Sequence, residues 1–323
     1  MKITILDDYQ DIIKDLKCFN LIKELDVQII NSTEKDINQL AKLLIDTDVL
    51  VLIRERTTIT SELLEKLPNL KLISQTGKIS NHINLETCTK YNVAVAEGIG
   101  SPIAPAELTW NLIMNTVRQL PKATEGMKNG NWQINIGNTI AGKNLGIWGY
   151  GKIGQRIAKY ADIFGANVII WGSENSRKKA IEDGFQAASS KSDFFQTIDI
   201  FTTHLRLNDN TREIIKYSDL QSMKEGASFI NTARAELVEK DALINILKSG
   251  KNLKIGVDVY EEEPIYDKNY SLLQYPNVIC VPHLGYVEID SYELYFSAAF
   301  ENVVNFIHKN PTNIANPEVL SIV

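Results

Sequence analysis

Short apolar runs alternate along the chain with longer stretches in which apolar positions recur at helical spacing, the pattern of parallel sheets covered by helices. In the first hundred residues ITIL (3–6), VQII (27–30), VLVLI (49–53), LKLIS (70–74) and VAVA (93–96) predict five strands. Runs this continuously apolar suit strands buried on both faces. A second series, LGIW (145–148), NVIIW (167–171), IDIFT (198–202), ASFIN (227–231), KIGVD (254–258) and NVICV (277–281), predicts six more. The expectation is an α/β chain of two doubly wound parallel-sheet domains in tandem. Between the two series, SPIAPAELTWNLIMNTVRQL (101–120) reads as a helix with Pro105 in its first turn. Its apolar residues Leu108, Trp110, Leu112, Met114 and Val117 spread around nearly the whole circumference, which predicts burial between domains or between subunits. SYELYFSAAFENVVNFIHK (291–309) is a last amphipathic helix that returns to the first domain. The expected boundaries are therefore 1–100 with 288–323 for one domain and 101–287 for the other.

Composition narrows the class further. A chain of 323 residues with 44% hydrophobic and 23% charged residues can bury two cores of ordinary size. A net charge of −6 gives no basic face with which to release counterions, so neither nucleic acid nor an anionic membrane is an expected partner. The apolar run near the N-terminus, ITIL, is too short for a signal-peptide core or a membrane span, and the expected location is the cytoplasm. Cys18, Cys88 and Cys280 show no metal-ligand or CxxC spacing and read as buried free thiols, with no metal site expected. No solenoid-period repeat and no low-complexity tract is present.

The candidate chemistry begins at LGIWGYGKIGQRIA (145–158), where Gly149, Gly151 and Gly154 follow an apolar strand and open a helix. Gly149 suits the tight turn, Gly151 lets the backbone approach a pyrophosphate, and Gly154 permits close packing of helix on strand. The helix N-terminus favours the phosphate charge, and Tyr150, Lys152 and Ile153 complete the loop. With NVIIW closing a βαβ unit, the motif reads as a dinucleotide site, the duller alternative being a turn that is merely glycine-rich.

Three further stretches sit at the C-terminal ends of strands, the edge where open α/β sheets bind ligands: INTARAELV (230–238), GVDVYEEEPI (256–265) and VPHLGYVE (281–288). The order of glycine loop, N-x-A-R, D-V-x-x-x-E-P and P-H-x-G resembles the D-isomer-specific 2-hydroxyacid dehydrogenases over essentially the whole chain. That resemblance implies a flavodoxin-like substrate domain, a Rossmann NAD(P) domain, and a homodimer with its active site in the cleft between domains. It implies hydride transfer between nicotinamide and C2 of a small 2-oxo or 2-hydroxy acid. His283 is the implied general acid/base, Glu263 its carboxylate partner and Arg234 the substrate-holding cation. The chemistry agrees on independent grounds. Imidazole titrates near working pH, a neighbouring carboxylate favours and orients its charged form, and a guanidinium matches a carboxylate with a fixed fork. Taken singly, each residue has a bland alternative: a structural histidine, a surface ion-pair partner, or one of a solvated acidic run with Glu261 and Glu262.

By the same resemblance Thr232, Ala233, Asp258 and Gly285 lie beside the cofactor, as do His204, Leu205 and Arg206, although Arg206 stands where proline is usual. LISQTGKISNHIN (72–84) matches the loop whose N–H groups meet the substrate carboxylate, with Gly77 and Lys78 as contacts. Arg54 matches a substrate-facing position of phosphoglycerate dehydrogenases, but Gln75 replaces an arginine that would help hold a 3-phosphate. Trp132 either reaches a neighbouring active site across a dimer or belongs to the core. An alternative class is a non-catalytic dinucleotide-sensing binding protein, like the C-terminal binding protein corepressors.

Cofactor choice turns on IIWGSENSR (169–177). Counting from Gly154 places an acid at Glu174, but the family position for it is Gly172, with Glu174 in the following turn. Gly172 leaves room for a 2′-phosphate, and Ser173, Ser176 and Arg177 offer donors, so NADP is favoured over NAD.

Overall fold

The structure, a computed structural model, describes residues 1–321. It divides into two compact units: Met1–Ser101 together with the segment that begins at Glu288, and Pro102–Val287. The elements of the first hundred residues are β1 (Lys2–Ile5), β2 (Asp26–Ile29), α1 (Ile37–Leu44), β3 (Val49–Leu52), α2 (Ser61–Glu65), β4 (Leu72–Gln75), α3 (Leu85–Lys90) and β5 (Ala94–Ala96). Next come α4 (Ile103–Arg118), α5 (Leu120–Lys128), β6 (Asn144–Trp148), α6 (Lys152–Ile163), β7 (Asn167–Trp171), α7 (Glu174–Glu182), β8 (Gln186–Ala187) and α8 (Lys191–Thr197). The remainder is β9 (Ile200–Thr203), α9 (Tyr217–Ser222), β10 (Ser228–Asn231), α10 (Ala242–Lys248), β11 (Lys254–Val257), β12 (Val278–Cys280) and α11 (Ile289–Ile307).

The first unit is a five-stranded parallel sheet in the order β2-β1-β3-β4-β5, the flavodoxin-like arrangement. Strands β3 and β4 are buried at every position, and β3 is accordingly an unbroken apolar run, whereas β4 ends on the buried polar pair Ser74 and Gln75. Side chains cap the helices on its faces: Asp36, Thr60 and Asn84 each accept an N–H in the first turn of α1, α2 and α3. Glu288 does the same for α11, which packs on β4 within this unit.

The second unit is a seven-stranded parallel sheet in the order β12-β11-β10-β9-β6-β7-β8, a Rossmann topology. One face carries an aromatic core around Phe194, Phe195, Phe201 and Phe229, all fully buried. Leu112, Ile113, Ile147 and Ile157 lead the other face. Helix α4 packs one side on α6, β10 and β11 of its own unit, while Leu108, Trp110 and Met114 stay only half-buried there. The two-residue strand β8 has no counterpart among the predicted strands.

Candidate active site

In the second unit the strand order reverses between β6 and β9, and a doubly wound sheet opens a ligand crevice at such a reversal. The crevice is flanked by residues 149–151 after β6 and 204–206 after β9, tied together where the His204 amide donates to the Trp148 carbonyl at 2.8 Å. Gly149 has φ 105°, and a side chain there would collide with the His204 carbonyl at 2.8 Å. A Cβ on Gly154 would lie 2.1 Å from the Gly149 oxygen, so α6 can approach β6 only with glycine at that point. Gly151, by contrast, caps α6 and faces open space, since a Cβ there would meet nothing within 4 Å. Two of the glycines close the turn and the third leaves a cradle at a helix N-terminus, an arrangement that fits a dinucleotide pyrophosphate.

The side chains around this loop have separate occupations. Tyr150 is buried in the core and donates to Asp183 Oδ2 at 2.9 Å, so only its backbone belongs to the cradle. Lys152 is exposed, while Ile153 and Leu205 lie partly buried against the two cores. His204 Nε2 sits 3.1 Å from Thr202 Oγ1, and desolvation holds the imidazole well below its ordinary pKa and therefore neutral. Arg206 is exposed, and its carbonyl accepts from the Thr211 hydroxyl at 2.7 Å.

At the end of β7, Gly172 has φ 152°, and a Cβ would already touch Ser176 at 3.4 Å. Ser173 caps α7 by accepting from the Ser176 amide at 3.3 Å. Glu174 is the first residue of α7 and so lies in the helix, not in the expected turn. Arg177 lays its guanidinium over the Trp171 ring at 5.0 Å, and its buried Nε has no acceptor among the described residues.

The loops after β10, β11 and β12, three adjacent strands, carry the expected catalytic set. His283 has φ 52°, its backbone N–H donates a hydrogen bond to the Val281 carbonyl at 3.0 Å, and its Nδ1 lies 2.6 Å from Glu263 Oε2. The other oxygen of Glu263 accepts from the Tyr260 amide at 3.0 Å, so the carboxylate is itself oriented. Both partners remain about one-third exposed or less, at 27% and 32%, which leaves a protonatable pair reachable from solvent. Asp258 is fully buried and accepts the amides of Leu284 and Gly285 at 2.6 and 3.0 Å, fastening the turn that presents His283. Burial pushes the Asp258 carboxyl up to about 7, against the pull of His283 and those two amides. Arg234 donates to the Ala233 carbonyl at 2.6 Å. Asn231 pins its loop from both sides, donating to the Arg234 carbonyl at 2.8 Å and accepting from the Ala233 amide at 3.0 Å. Thr232 meets Thr109 of α4 hydroxyl to hydroxyl at 2.6 Å. Asn231 heads the N-x-A-R stretch and is the organiser that sequence reasoning missed. A polar residue ending a buried strand was the available signal.

In the first unit the strand order reverses between β1 and β3, and Arg54 follows β3 at that reversal. Its guanidinium lies 5.7 Å from the Tyr295 ring and over Gly77, where a Cβ would fall 1.9 Å from Nη1. Lys78 is an exposed residue whose Nζ pairs with Glu97 Oε2 at 2.6 Å, and Glu97 also accepts the Ile79 amide at 3.1 Å. Among the described residues, the amides of Gly77 and Lys78 have no acceptor. Glu97, which shapes this loop, was a second organiser invisible to motif reasoning. Trp132, in the second unit, is 75% exposed, which removes the reading of it as a core residue.

No group of three or more His, Cys, Asp or Glu side chains placed to hold a metal occurs among the described residues. Nor does any helix long and apolar enough to cross a membrane.

Comparison with known proteins supplies independent findings. Residues 110–285 match the family model described as D-isomer specific 2-hydroxyacid dehydrogenase, NAD binding domain. The chain is 33% identical over 276 residues to the glyoxylate reductase of Aeropyrum pernix, covering 82% of each protein. It is 35% identical over 243 residues to the D-3-phosphoglycerate dehydrogenase of Methanocaldococcus jannaschii, a match that takes in 74% of this chain but only 46% of that longer protein. Among solved structures, a phosphoglycerate oxidoreductase from Vibrio cholerae o395 superposes with a TM-score of 0.94 at 52% identity, over 96% of this chain and 99% of that one.

Proposed function

Because the chain belongs to the D-isomer-specific 2-hydroxyacid dehydrogenases, NAD-dependent oxidoreductases acting on CH–OH groups, we propose that it reduces a short 2-oxo acid to the D-2-hydroxy acid with His283 as proton donor. The contact between His283 Nδ1 and Glu263 Oε2 at 2.6 Å carries this reading. It occupies one ring nitrogen with a carboxylate and leaves Nε2 to exchange a proton with the substrate oxygen. The nicotinamide, when bound, supplies the hydride. Glu263 keeps the ring oriented through Nδ1 before and after transfer. Arg234, on the loop pinned by Asn231, holds the substrate carboxylate with its fork. The unengaged amides of Gly77 and Lys78 supply further donors to the substrate carboxylate, and Arg54 faces the substituent beyond C2.

The proposed division of labour gives 101–287 to the dinucleotide and 1–100 with 288–323 to the substrate. For the cofactor the proposal is NADP over NAD. Gly172 adopts a backbone that disfavours the acid an NAD site uses, α7 opens with a serine cap, and Arg177 stands ready on Trp171. Glyoxylate and hydroxypyruvate are the proposed substrate class, because Gln75 is fully buried and uncharged where a second arginine would favour a phosphate. The name of the Vibrio relative and the placement of Arg54 support 3-phosphoglycerate oxidation as the second reading. Exposed apolar side chains at Leu120, Met127, Trp132 and Ile136 support a homodimer through this face of the second unit. Three unpaired thiols suit a reducing compartment, the cytoplasm.

The test is His283→Asn. The variant should lose 2-oxo acid reduction by about a hundredfold or more while binding reduced cofactor normally by fluorescence. Wild-type turnover in that variant removes His283 from the mechanism.

A further inference from the structure

Arg54 does not hold its position by itself. Its backbone is in the left-handed region at φ 54°, which a non-glycine residue adopts only when its surroundings impose it. Both of its peptide groups are gripped by consecutive side chains at the end of β4. The Arg54 amide donates to Thr76 Oγ1 at 3.1 Å, and the Arg54 carbonyl accepts from Gln75 Nε2 at 2.8 Å. Gln75 and Thr76 are 0% and 1% exposed, so neither side chain reaches solvent. The amide of Gln75 makes that single side-chain hydrogen bond among the described residues, and its Oε1 is buried with no donor. A leucine would fill the same space with no unsatisfied atom, so the one thing this amide adds is its grip on Arg54. Beyond the clamp, the side chain runs over Gly77, the one residue type that leaves room for Nη1, and lies beside Tyr295.

We propose that Gln75 and Thr76 are positioning residues that hold Arg54 in place as the specificity determinant for the substituent on C3 of the 2-oxo acid. The inference rests on the reading of Arg54 as a substrate contact. A guanidinium fixed in this way rewards a C3 hydroxyl or a larger polar group, and it is indifferent to an acid that has no C3. Hydroxypyruvate and glyoxylate differ in that respect but share the 2-oxo carboxylate, so the ratio of the two kcat/KM values cancels effects on carboxylate binding and reports the clamp.

The experiment measures that ratio in Gln75→Leu, Thr76→Val, Thr76→Ser, Gly77→Ala and Arg54→Ala, with Gln75→Leu repeated in the Arg54→Ala background. Gln75→Leu and Thr76→Val are expected to lower the ratio about tenfold, through KM for hydroxypyruvate more than through kcat. Thr76→Ser keeps the hydroxyl and should restore it. Gly77→Ala meets side-chain atoms of Arg54 and no backbone, so it should fold normally while displacing the guanidinium and lowering the ratio, which secures the test if a buried substitution unfolds the chain. In the Arg54→Ala background Gln75→Leu should change the ratio less than about twofold, since the effect has to pass through Arg54. If Arg54→Ala lowers the ratio while Gln75→Leu, Thr76→Val and Gly77→Ala all keep the wild-type value, the clamp is wrong and the substrate contact stands. If Arg54→Ala itself leaves the ratio unchanged, the substrate contact fails and the clamp with it.

Discussion

Arg177→Ala separates the two cofactors by one side chain. The guanidinium rests on Trp171 at 5.0 Å, one helical turn into α7, next to a strand end where Gly172 offers no carboxylate. On the proposed reading the 2′-phosphate of NADPH would be the acceptor for this guanidinium, whose buried Nε has none among the described residues. A hydrogen bond to a charged group contributes about 1.5–3 kcal/mol, equivalent to about ten- to hundredfold in affinity. Arg177 is only partly buried, and screening by salt puts the expected loss near the tenfold end. NADH has no phosphate at that position, so its affinity should change by less than about twofold. The assay is the dissociation constant of each reduced cofactor by nicotinamide fluorescence, at low and at physiological ionic strength. Trp171→Leu removes the platform but not the charge and should cost NADPH a smaller factor. An equal weakening of both cofactors by Arg177→Ala, or none, refutes the assignment of this turn to a 2′-phosphate.

Other substitutions probe the scaffold beneath the chemistry. Gly154→Ala places a methyl group 2.1 Å from the Gly149 oxygen, a backbone atom that cannot swing away. It should destabilise the protein by about 1–3 kcal/mol and weaken both cofactors alike, and an unchanged melting temperature contradicts it. Asp258→Asn tests the buried carboxyl. Folding raises its pKa from 3.8 to about 7, so its contribution to stability is fully present below pH 3.8 and is lost as the pH rises through 7. The upper limit of that loss is about 4 kcal/mol. Urea denaturation should therefore show Asp258→Asn weaker than wild type near pH 5, with the gap narrowing by pH 8, and a constant gap rules this out. Glu263→Gln keeps the shape of the side chain but removes the charge beside His283. Its kcat should fall about ten- to hundredfold with cofactor affinity unchanged, and a purely structural role would instead lower the melting temperature and leave kcat intact.

The strands were legible because burial on both faces leaves apolar runs: β3 is apolar throughout, and the equally buried β4, β9, β10 and β11 keep their polar residues toward their ends. The glycine loop was legible because Gly149 and Gly154 answer close approaches within the turn, and Gly151 leaves the cradle open. Strand β8, two residues long, has too few positions to show any period. Helix α4 was legible as a buried helix, and the sheet and α6 account for the burial of Leu112, Ile113 and Val117. Asn231, Glu97 and Thr76 escaped notice, and Gln75 was noticed only for the charge it lacks, because they act through hydrogen bonds to loops whose paths exist only in the fold. Glu174 was displaced by a single residue, since Ser173 is what starts α7 and a count along the sequence does not see a cap.

One measurement bears most directly on the whole: absorbance at 340 nm on mixing the purified protein with NADH or NADPH and, in turn, glyoxylate, hydroxypyruvate and pyruvate. The expected result is oxidation of the nicotinamide that depends on the 2-oxo acid, with a lower KM for NADPH than for NADH. A folded protein that binds reduced cofactor yet oxidises neither form with any of the three acids contradicts the reductase and leaves a dinucleotide-sensing binding protein in its place.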